Sequence, residues 1–315
     1  MTRRILIASG GTGGHIFPAI VFGKSLQEKG DIVEWLCGSR ELERTIYHSS
    51  GIEPVCLPLA GSPMGTKSPV KILGRIVDVF RSITMTLRLV KNFRPDEVYL
   101  FGGYISFAPL IVAKLKGIPV TLHEQNTVAG RVARLASRMG AKIITGWPVC
   151  EGIKSYEYTG IPVRDPERLA RGEALRTLGL DIPEDAKIVG VAGGSLGSGP
   201  LSELLKKAAK LCAGYEFVFL SSKVREDVGN MHFIPAQWNM NAFYSVSDIL
   251  VCRSGGSTLA EALKWGMKTI TIPWPGAMDN HQEKNAREFV NLADNAHIFP
   301  ETGRPEELAE IVKNL

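Results

Sequence analysis

The chain has 315 residues, of which 44% are hydrophobic and 22% charged, a balance that fits two folded domains of ordinary size and argues against disorder. Its net charge of +5 is mild and would suit several acidic partners; no nucleic-acid partner is expected. Cys37, Cys56, Cys150, Cys212 and Cys252 stand singly with no CxxC pair, so free thiols are expected rather than disulfides or a zinc site. No apolar run approaches the roughly 20 residues of a spanning helix, and the first strand starts too early for a signal peptide, so a cytosolic chain is expected.

In chain order, "RILIAS" reads as a buried strand, and "IFPAIVFGKSLQEKG" has the apolar spacing of a helix. Between them lies "GGTGGH", a strand-to-helix turn whose glycines let backbone N–H groups face an anion or polar ligand. The dinucleotide fingerprint fails, because Gly11 and Gly13 are followed by Ile16 where a third glycine belongs; no Gly-Lys-Ser/Thr follows either. "IVEWLCG" is the next strand. The stretch "KSPVKILGRIVDVFRSITMTLRLVKNFRP" repeats Ile72, Ile76, Val79, Phe80, Ile83 and Leu87 at helical spacing, amid seven basic residues and the single acid Asp78. A helix packed on a sheet would give the same stripe. The one-sided charge tilts the expectation towards docking on anionic lipid through Ile72, Ile76, Phe80 and Ile83.

The strands "EVYLFGG", "IPVTLHE" and "KIITG" complete the first half. "GGYIS" and "HEQN" follow two of them directly, and polar residues at a strand's carboxyl end are expected to point into a ligand cleft. The segment from "YTGIPVRDPERLARGEALRTLG" to "DIPEDA" is rich in proline and charge and reads as a linker. Six further strand runs follow: "KIVGVAG", "EFVFLSS", "MHFIPA", "DILVCRSG", "KTITIPW" and "AHIF". "IVGVAGGSLGSG" repeats the opening "ILIASGGTGGH" as strand, glycine turn, then helix. The fold class expected is α/β, with two doubly wound Rossmann-like domains, 1–161 and 162–315, facing across a cleft.

Two constellations carry chemistry in the second half. In "CRSGGSTLAEA", Gly255, Gly256, Ser257 and Thr258 would offer donors to a diphosphate at the positive end of a helix. Glu261 has two readings: the partner of Thr258 in a capping box, or an acceptor for both hydroxyls of a ribose. In "PWPGAMDNHQEKNA", Asp279, Asn280, His281, Gln282 and Asn285 suit recognition of sugar hydroxyls. Asp279, His281 and Glu283 match no common metal spacing, and no Asp-x-Asp occurs, so neither a metal nor a cofactor is called for.

"GGTGGHIFPA", "GGYIS", "GIPVTLHEQN", "TGIPVR", "GGSLGS", "CRSGGSTLAEA" and "DNHQEKNA", in this order, resemble the bacterial peptidoglycan N-acetylglucosaminyltransferase (MurG) family of GT-B glycosyltransferases. The resemblance implies an inverting transfer from UDP-N-acetylglucosamine to the muramyl sugar of undecaprenyl-diphosphate-linked lipid I, giving the β-1,4-linked lipid II. It implies a peripheral protein on the cytoplasmic face of the inner membrane, with an N-terminal acceptor- and membrane-binding domain and a C-terminal UDP-sugar-binding domain. Carried onto this chain, Thr12, Gly13, Gly14, Asn126, Arg164, Ser195, His281 and Gln282 would contact the donor. Gly256, Ser257, Thr258, Leu259, Ala260 and Glu261 would hold its diphosphate and ribose, and Gln237 would lie beside the uracil. Gly102, Gly103, Tyr104, His123, Glu124 and Gln125 would serve the acceptor. Ile161 and Leu196 depart from the Asn and Gln usual in the family.

An inverting transfer needs a base that is neutral near pH 7. His15 at a helix N-terminus, where the dipole disfavours imidazolium, is the first candidate, and Glu124 the reserve. Two other readings stay open: a GT-B transferase acting on another membrane lipid, and a divergent nucleotide-sugar-binding protein without catalysis.

Overall fold

Apolar runs bounded by glycine-containing turns form the strands of two parallel sheets. The computed structural model describes residues 2–61, 68–193, 199–221 and 226–315, and the chain divides into Met1–Val163 and Arg164–Leu315.

The first unit begins with β1 (Arg4–Ala8), α1 (Gly13–Glu28), β2 (Ile32–Cys37), α2 (Glu41–Ser49), β3 (Val55–Cys56) and α3 (Pro69–Phe93). It continues through β4 (Glu97–Leu100), α4 (Phe107–Leu115), β5 (Val120–Glu124), α5 (Arg131–Arg138), β6 (Lys142–Thr145) and β7 (Glu157–Tyr158). The strands pair in the order β3-β2-β1-β4-β5-β6-β7, with Ile5 opposite Val33 on one side and Glu97 on the other. Ile5 to Ala8 are fully buried because helices cover both faces, which is why β1 reads as an unbroken apolar run. The strand order reverses between β1 and β4, so the turns after these two strands open at the switch point where such sheets bind ligands.

The second unit contains α6 (Arg171–Leu178), β8 (Lys187–Ala192), α7 (Gly199–Ala209), β9 (Tyr215–Ser221), β10 (Met231–Pro235) and α8 (Asn241–Val246). Then come β11 (Ile249–Cys252), α9 (Gly256–Trp265), β12 (Lys268–Thr271), α10 (His281–Leu292), β13 (Ala296–Ile298) and α11 (Pro305–Asn314). Its sheet order, β10-β9-β8-β11-β12-β13, repeats the winding of the first, with the switch point between β8 and β11. Each apolar run read as a strand forms one. The two-residue strands β3 and β7 are too short to carry a period and were not expected.

Two expectations are corrected. The proline-rich stretch is not simply a linker, because its second half folds as α6 and belongs to the second unit. Ala174, Leu175 and Leu178 are buried, Arg171 pairs with Asp248 at 2.9 Å, and the Leu169 N–H donates to Ser245 Oγ at 3.0 Å. The apolar stripe of α3 also divides. Val79, Ile83 and Leu87 pack against the first unit's core, so Ile83 is half-buried, as is Ile72, and neither belongs to the exposed face. Val70, Leu73, Ile76, Val77 and Phe80 are the exposed set, and they recur at i, i+3, i+4 and i+7 along the helix. Among the described residues no helix is long and apolar enough to cross a membrane.

Candidate active site

In the first unit the glycine turn after β1 leads into α1, with Thr12 extended at the N-cap (φ −139°, ψ 162°) and its hydroxyl not capping the helix. His15 lies in the first turn of α1, its N–H bonded to Thr12 O at 3.1 Å. The turn is held from behind by Glu43, a fully buried carboxylate on α2. Glu43 accepts the Gly11 N–H at 2.8 Å, the Gly38 N–H at 2.6 Å and the Tyr104 hydroxyl. One carboxylate thereby joins the turns after β1, β2 and β4. The sequence reading missed Glu43. Its signal was a charged residue sharing a helix face with buried Ile46 and Tyr47.

"GGYIS" lies beside both the "HEQN" segment, with Gln125 Oε1 3.7 Å from where a Cβ on Gly102 would stand, and the glycine turn. Gly102 and Gly103 have φ of 75° and 70°, and a Cβ on Gly103 would come within 2.9 Å of Gly10 O, so only glycine fits this approach. A Cβ on Gly102 would stand 3.3 Å from His15 Cε1. Tyr104 gives its hydroxyl to Glu43, and its ring stacks under Arg40 at 5.0 Å.

The "HEQN" segment differs from expectation, because its first three side chains face inward. His123, Glu124 and Gln125 are 1%, 3% and 2% exposed. His123 Nε2 donates to Gly160 O at 2.9 Å, and its ring stacks on Phe101. Gln125 Nε2 donates to His123 Nδ1 at 3.1 Å and to His123 O at 2.9 Å, while its Oε1 accepts from His15 Nδ1 at 2.6 Å. Glu124 accepts the N–H of Asn126 at 3.0 Å, its Nδ2 at 3.1 Å and the N–H of Gly130 at 2.9 Å. The acceptor-binding roles expected of His123, Glu124 and Gln125 are therefore corrected: these side chains build the wall behind His15. Glu124 is also a poor reserve base, since the turn occupies both its oxygens.

Burial pushes His123 down from 6.5 to about 4. An unfolded chain takes up this proton first, so the contribution to stability is complete above 6.5 and falls as pH drops from 6.5 towards about 4. The loss expected over this window is roughly 3 kcal/mol. Urea midpoints of wild type and His123→Gln at pH 7.5 and 5 check it. Parallel behaviour of the two proteins would remove His123 as the cause.

In the second unit α9 starts at Gly256 with Gly255 as N-cap and no side-chain cap. Thr258 is therefore already the third helical residue, and the capping-box reading of Glu261 fails. Glu261 Oε2 instead accepts the hydroxyl of buried Tyr244 at 2.7 Å. Desolvation raises the Glu261 carboxyl above its ordinary value, opposed by the Tyr244 bond and the charge of Arg164. Arg164 Nη1 donates to Trp238 O at 2.8 Å, and Gln237 Nε2 to Pro235 O at 3.0 Å. Arg253, just before the turn, is buried, pairs with Glu301 and donates to Ile272 O at 3.2 Å, so it braces the loops instead of facing a phosphate. Sequence alone marked neither Tyr244 nor Arg253.

The loop before α10 holds Asp279 and Asn280 both at φ 53°, a left-handed pair that strains non-glycine residues and is typical of functional loops. Gln282 Oε1 accepts the Trp274 N–H at 2.9 Å, and His281 Nδ1 donates to Met278 O at 2.8 Å. Asn285 is buried and donates to Ser254 O at 3.0 Å, a bracing bond between α10 and the turn after β11. Ser195 and Leu196 lie outside the described residues. Ile161 is buried, packed where Gly146 leaves room for it.

Two doubly wound units in series, each with a glycine-containing turn opening a helix at its switch point, make up the two-domain architecture of GT-B glycosyltransferases. Residues 5–145 match the glycosyltransferase family 28 N-terminal domain, and residues 188–315 its C-terminal domain. The chain is 31% identical over 316 residues to a protein of Shewanella violacea named UDP-N-acetylglucosamine--N-acetylmuramyl-(pentapeptide) pyrophosphoryl-undecaprenol N-acetylglucosamine transferase, covering 95% of this chain and 84% of that one. It is 32% identical to the protein of the same name from Dechloromonas aromatica, covering 100% of this chain and 90% of that one. The crystal structure of Acinetobacter baumannii MurG superposes with a TM-score of 0.73 at 26% identity, covering 100% of this chain and 90% of that one. The chain belongs to this family of N-acetylglucosamine transferases.

Proposed function

We propose that the protein transfers N-acetylglucosamine from UDP-N-acetylglucosamine to the muramyl sugar of an undecaprenyl-diphosphate-linked acceptor, with inversion, to give lipid II. The observation that carries this reading is His15, held by one ring nitrogen at the first unit's switch point, in a chain at least 31% identical to named transferases over 95% or more of its length. In the transfer, the acceptor hydroxyl oxygen bonds to the anomeric carbon as the bond to the UDP oxygen breaks. UDP leaves with the electron pair, and His15 takes the hydroxyl proton. The α9 N-terminus offers N–H groups to the diphosphate, with Ser257 and Thr258 beside them, and Glu261 accepts the ribose hydroxyls. Thr12, Gly13, Gly14, Asn126, Gln237, His281 and Gln282 complete the donor contacts, and Gly102 and Gly103 border the acceptor.

Turnover of radiolabelled UDP-N-acetylglucosamine with a lipid I analogue tests the reading. Labelled disaccharide lipid is the expected product. UDP binding without transfer would leave only a nucleotide-sugar-binding protein, and transfer solely to another lipid would change the acceptor. For the donor site, Glu261→Gln is expected to weaken UDP by about 1 to 3 kcal/mol, the range for a hydrogen bond to a charged group. Calorimetric titration with UDP and with its 2′,3′-dideoxyribose analogue checks this. Equal losses for both ligands would remove the ribose contact.

The membrane reading rests on α3, where Leu73 is 65% and Phe80 66% exposed, with Lys71 and Arg81 beside them. Such a face suits peripheral binding to an anionic bilayer on the cytoplasmic side. Leu73→Ser, Val77→Ser and Phe80→Ser together should reduce sedimentation with phosphatidylglycerol liposomes while sparing turnover of a soluble acceptor. Unchanged sedimentation would place the membrane contact elsewhere.

A further inference from the structure

His15 has two ring nitrogens, and a neutral imidazole carries its proton on only one of them. A base that takes the acceptor proton through Nε2 must hold its own proton on Nδ1. Free imidazole side chains in water favour the opposite arrangement, so something has to choose for His15. The choice is set by what the partner on Nδ1 can do.

That partner is Gln125 Oε1 at 2.6 Å. An amide can be turned end for end, so the direction of this bond depends on what fixes the amide. Two groups fix it. The other end of the Gln125 amide lies 2.9 Å from His123 O, a backbone carbonyl that can only accept, so this end must be the NH2. Gln125 Nε2 also lies 3.1 Å from His123 Nδ1, which must then be an acceptor. Independently, His123 Nε2 lies 2.9 Å from Gly160 O, another carbonyl, so Nε2 carries the His123 proton and Nδ1 is indeed bare. Both constraints agree. The Gln125 oxygen therefore faces His15, and an oxygen without a hydrogen admits only the N–H of Nδ1. His15 Nε2 has no hydrogen-bond partner among the described residues.

We propose that Gln125, oriented by His123 and the carbonyl of Gly160, is a positioning residue that locks His15 as its Nδ1–H tautomer and keeps Nε2 bare for the acceptor proton. The relay runs from β5 to α1 and is anchored at both ends by main-chain carbonyls. His123 stays neutral in it because burial disfavours the imidazolium, so the donor and acceptor pattern does not reverse near pH 7. The bonds between Gln125 and His123 are buried and shielded from water, which would otherwise offer both a donor and an acceptor to the amide and to the His123 ring. The catalytic meaning of the lock rests on the proposed role of His15 as base. The tautomer itself does not.

The test is two-bond 1H–15N correlation NMR of the full chain labelled at its six histidines, with the His15 signals identified by their loss in His15→Ala. At pH 8 the wild type should show His15 protonated on Nδ1 and His123 protonated on Nε2. Finding His15 protonated on Nε2 overturns the proposal, and this spectrum needs no Gln125 variant to fold. Gln125→Met, similar in shape but without the amide, should return His15 to a mixture rich in the Nε2–H form. It should also lower kcat by roughly 10- to 100-fold, by analogy with partners that orient metal-ligating histidines. UDP affinity should stay near wild type. A Gln125→Met protein that keeps the Nδ1–H tautomer, or that keeps wild-type kcat, overturns the proposal. His15→Ala with normal turnover would instead remove the base assignment while leaving the tautomer result standing, so the two failures are distinguishable.

Discussion

His15→Ala is expected to lower turnover by roughly 10²- to 10⁴-fold, the usual range for losing a general base, with UDP affinity near the wild-type value. The reasoning follows from what the side chain touches. One ring nitrogen is committed to Gln125, and no described residue hydrogen-bonds the other. A base acts on the proton that leaves in the transition state, so its loss falls on kcat rather than on donor binding. Single-turnover rates with saturating donor, measured beside UDP titration, separate the two effects. Affinity falling in step with rate would make His15 part of the turn's scaffold. Near-normal turnover would place the base outside this turn altogether.

The fold was legible because parallel strands covered on both faces are written as short unbroken apolar runs, and because glycine turns mark where they end. The same text marks which end of a strand a residue occupies but not what covers it. "HEQN" stands at the carboxyl end of β5, the ligand-binding end, and this much was readable. What covers it is the loop after β6, which bonds its main chain. Gly146 N–H donates to Glu124 O at 2.8 Å, and Trp147 Nε1 donates to Gln125 O at 3.0 Å. No pattern in either segment announces that meeting. The capping-box reading failed for a related reason: Thr258 and Glu261 have the right spacing, yet the extended Gly255 starts the helix three residues earlier. Long-range partners such as Tyr244 for Glu261 exist only once the chain is folded.

Glu43 is where this long-range dependence has its largest cost, and Glu43→Ala is expected to destabilise the first unit by about 3 to 5 kcal/mol. The carboxylate is fully buried and takes three donors, the N–H groups of Gly11 and Gly38 and the Tyr104 hydroxyl. Removing it leaves those groups without an acceptor, and each such buried donor costs about 1 to 3 kcal/mol unless water enters. The three donors come from the turns after β1, β2 and β4, so the change also loosens the loop that carries His15. Turnover should fall as well, although Glu43 touches no substrate in this reading. Glu41→Ala is the control. It lies on the exposed face of the same helix, and such a substitution should shift stability by no more than about 0.5 kcal/mol. Urea unfolding measures the loss, and amide hydrogen exchange at Gly11 and Gly38 locates it, since these two N–H groups should lose protection first. Exchange there as slow as in wild type, together with stability equal to the Glu41→Ala control, would mean that the turn holds its shape without the carboxylate. Water or the backbone would then be its support, and the buried side chain would have no structural role in placing the histidine.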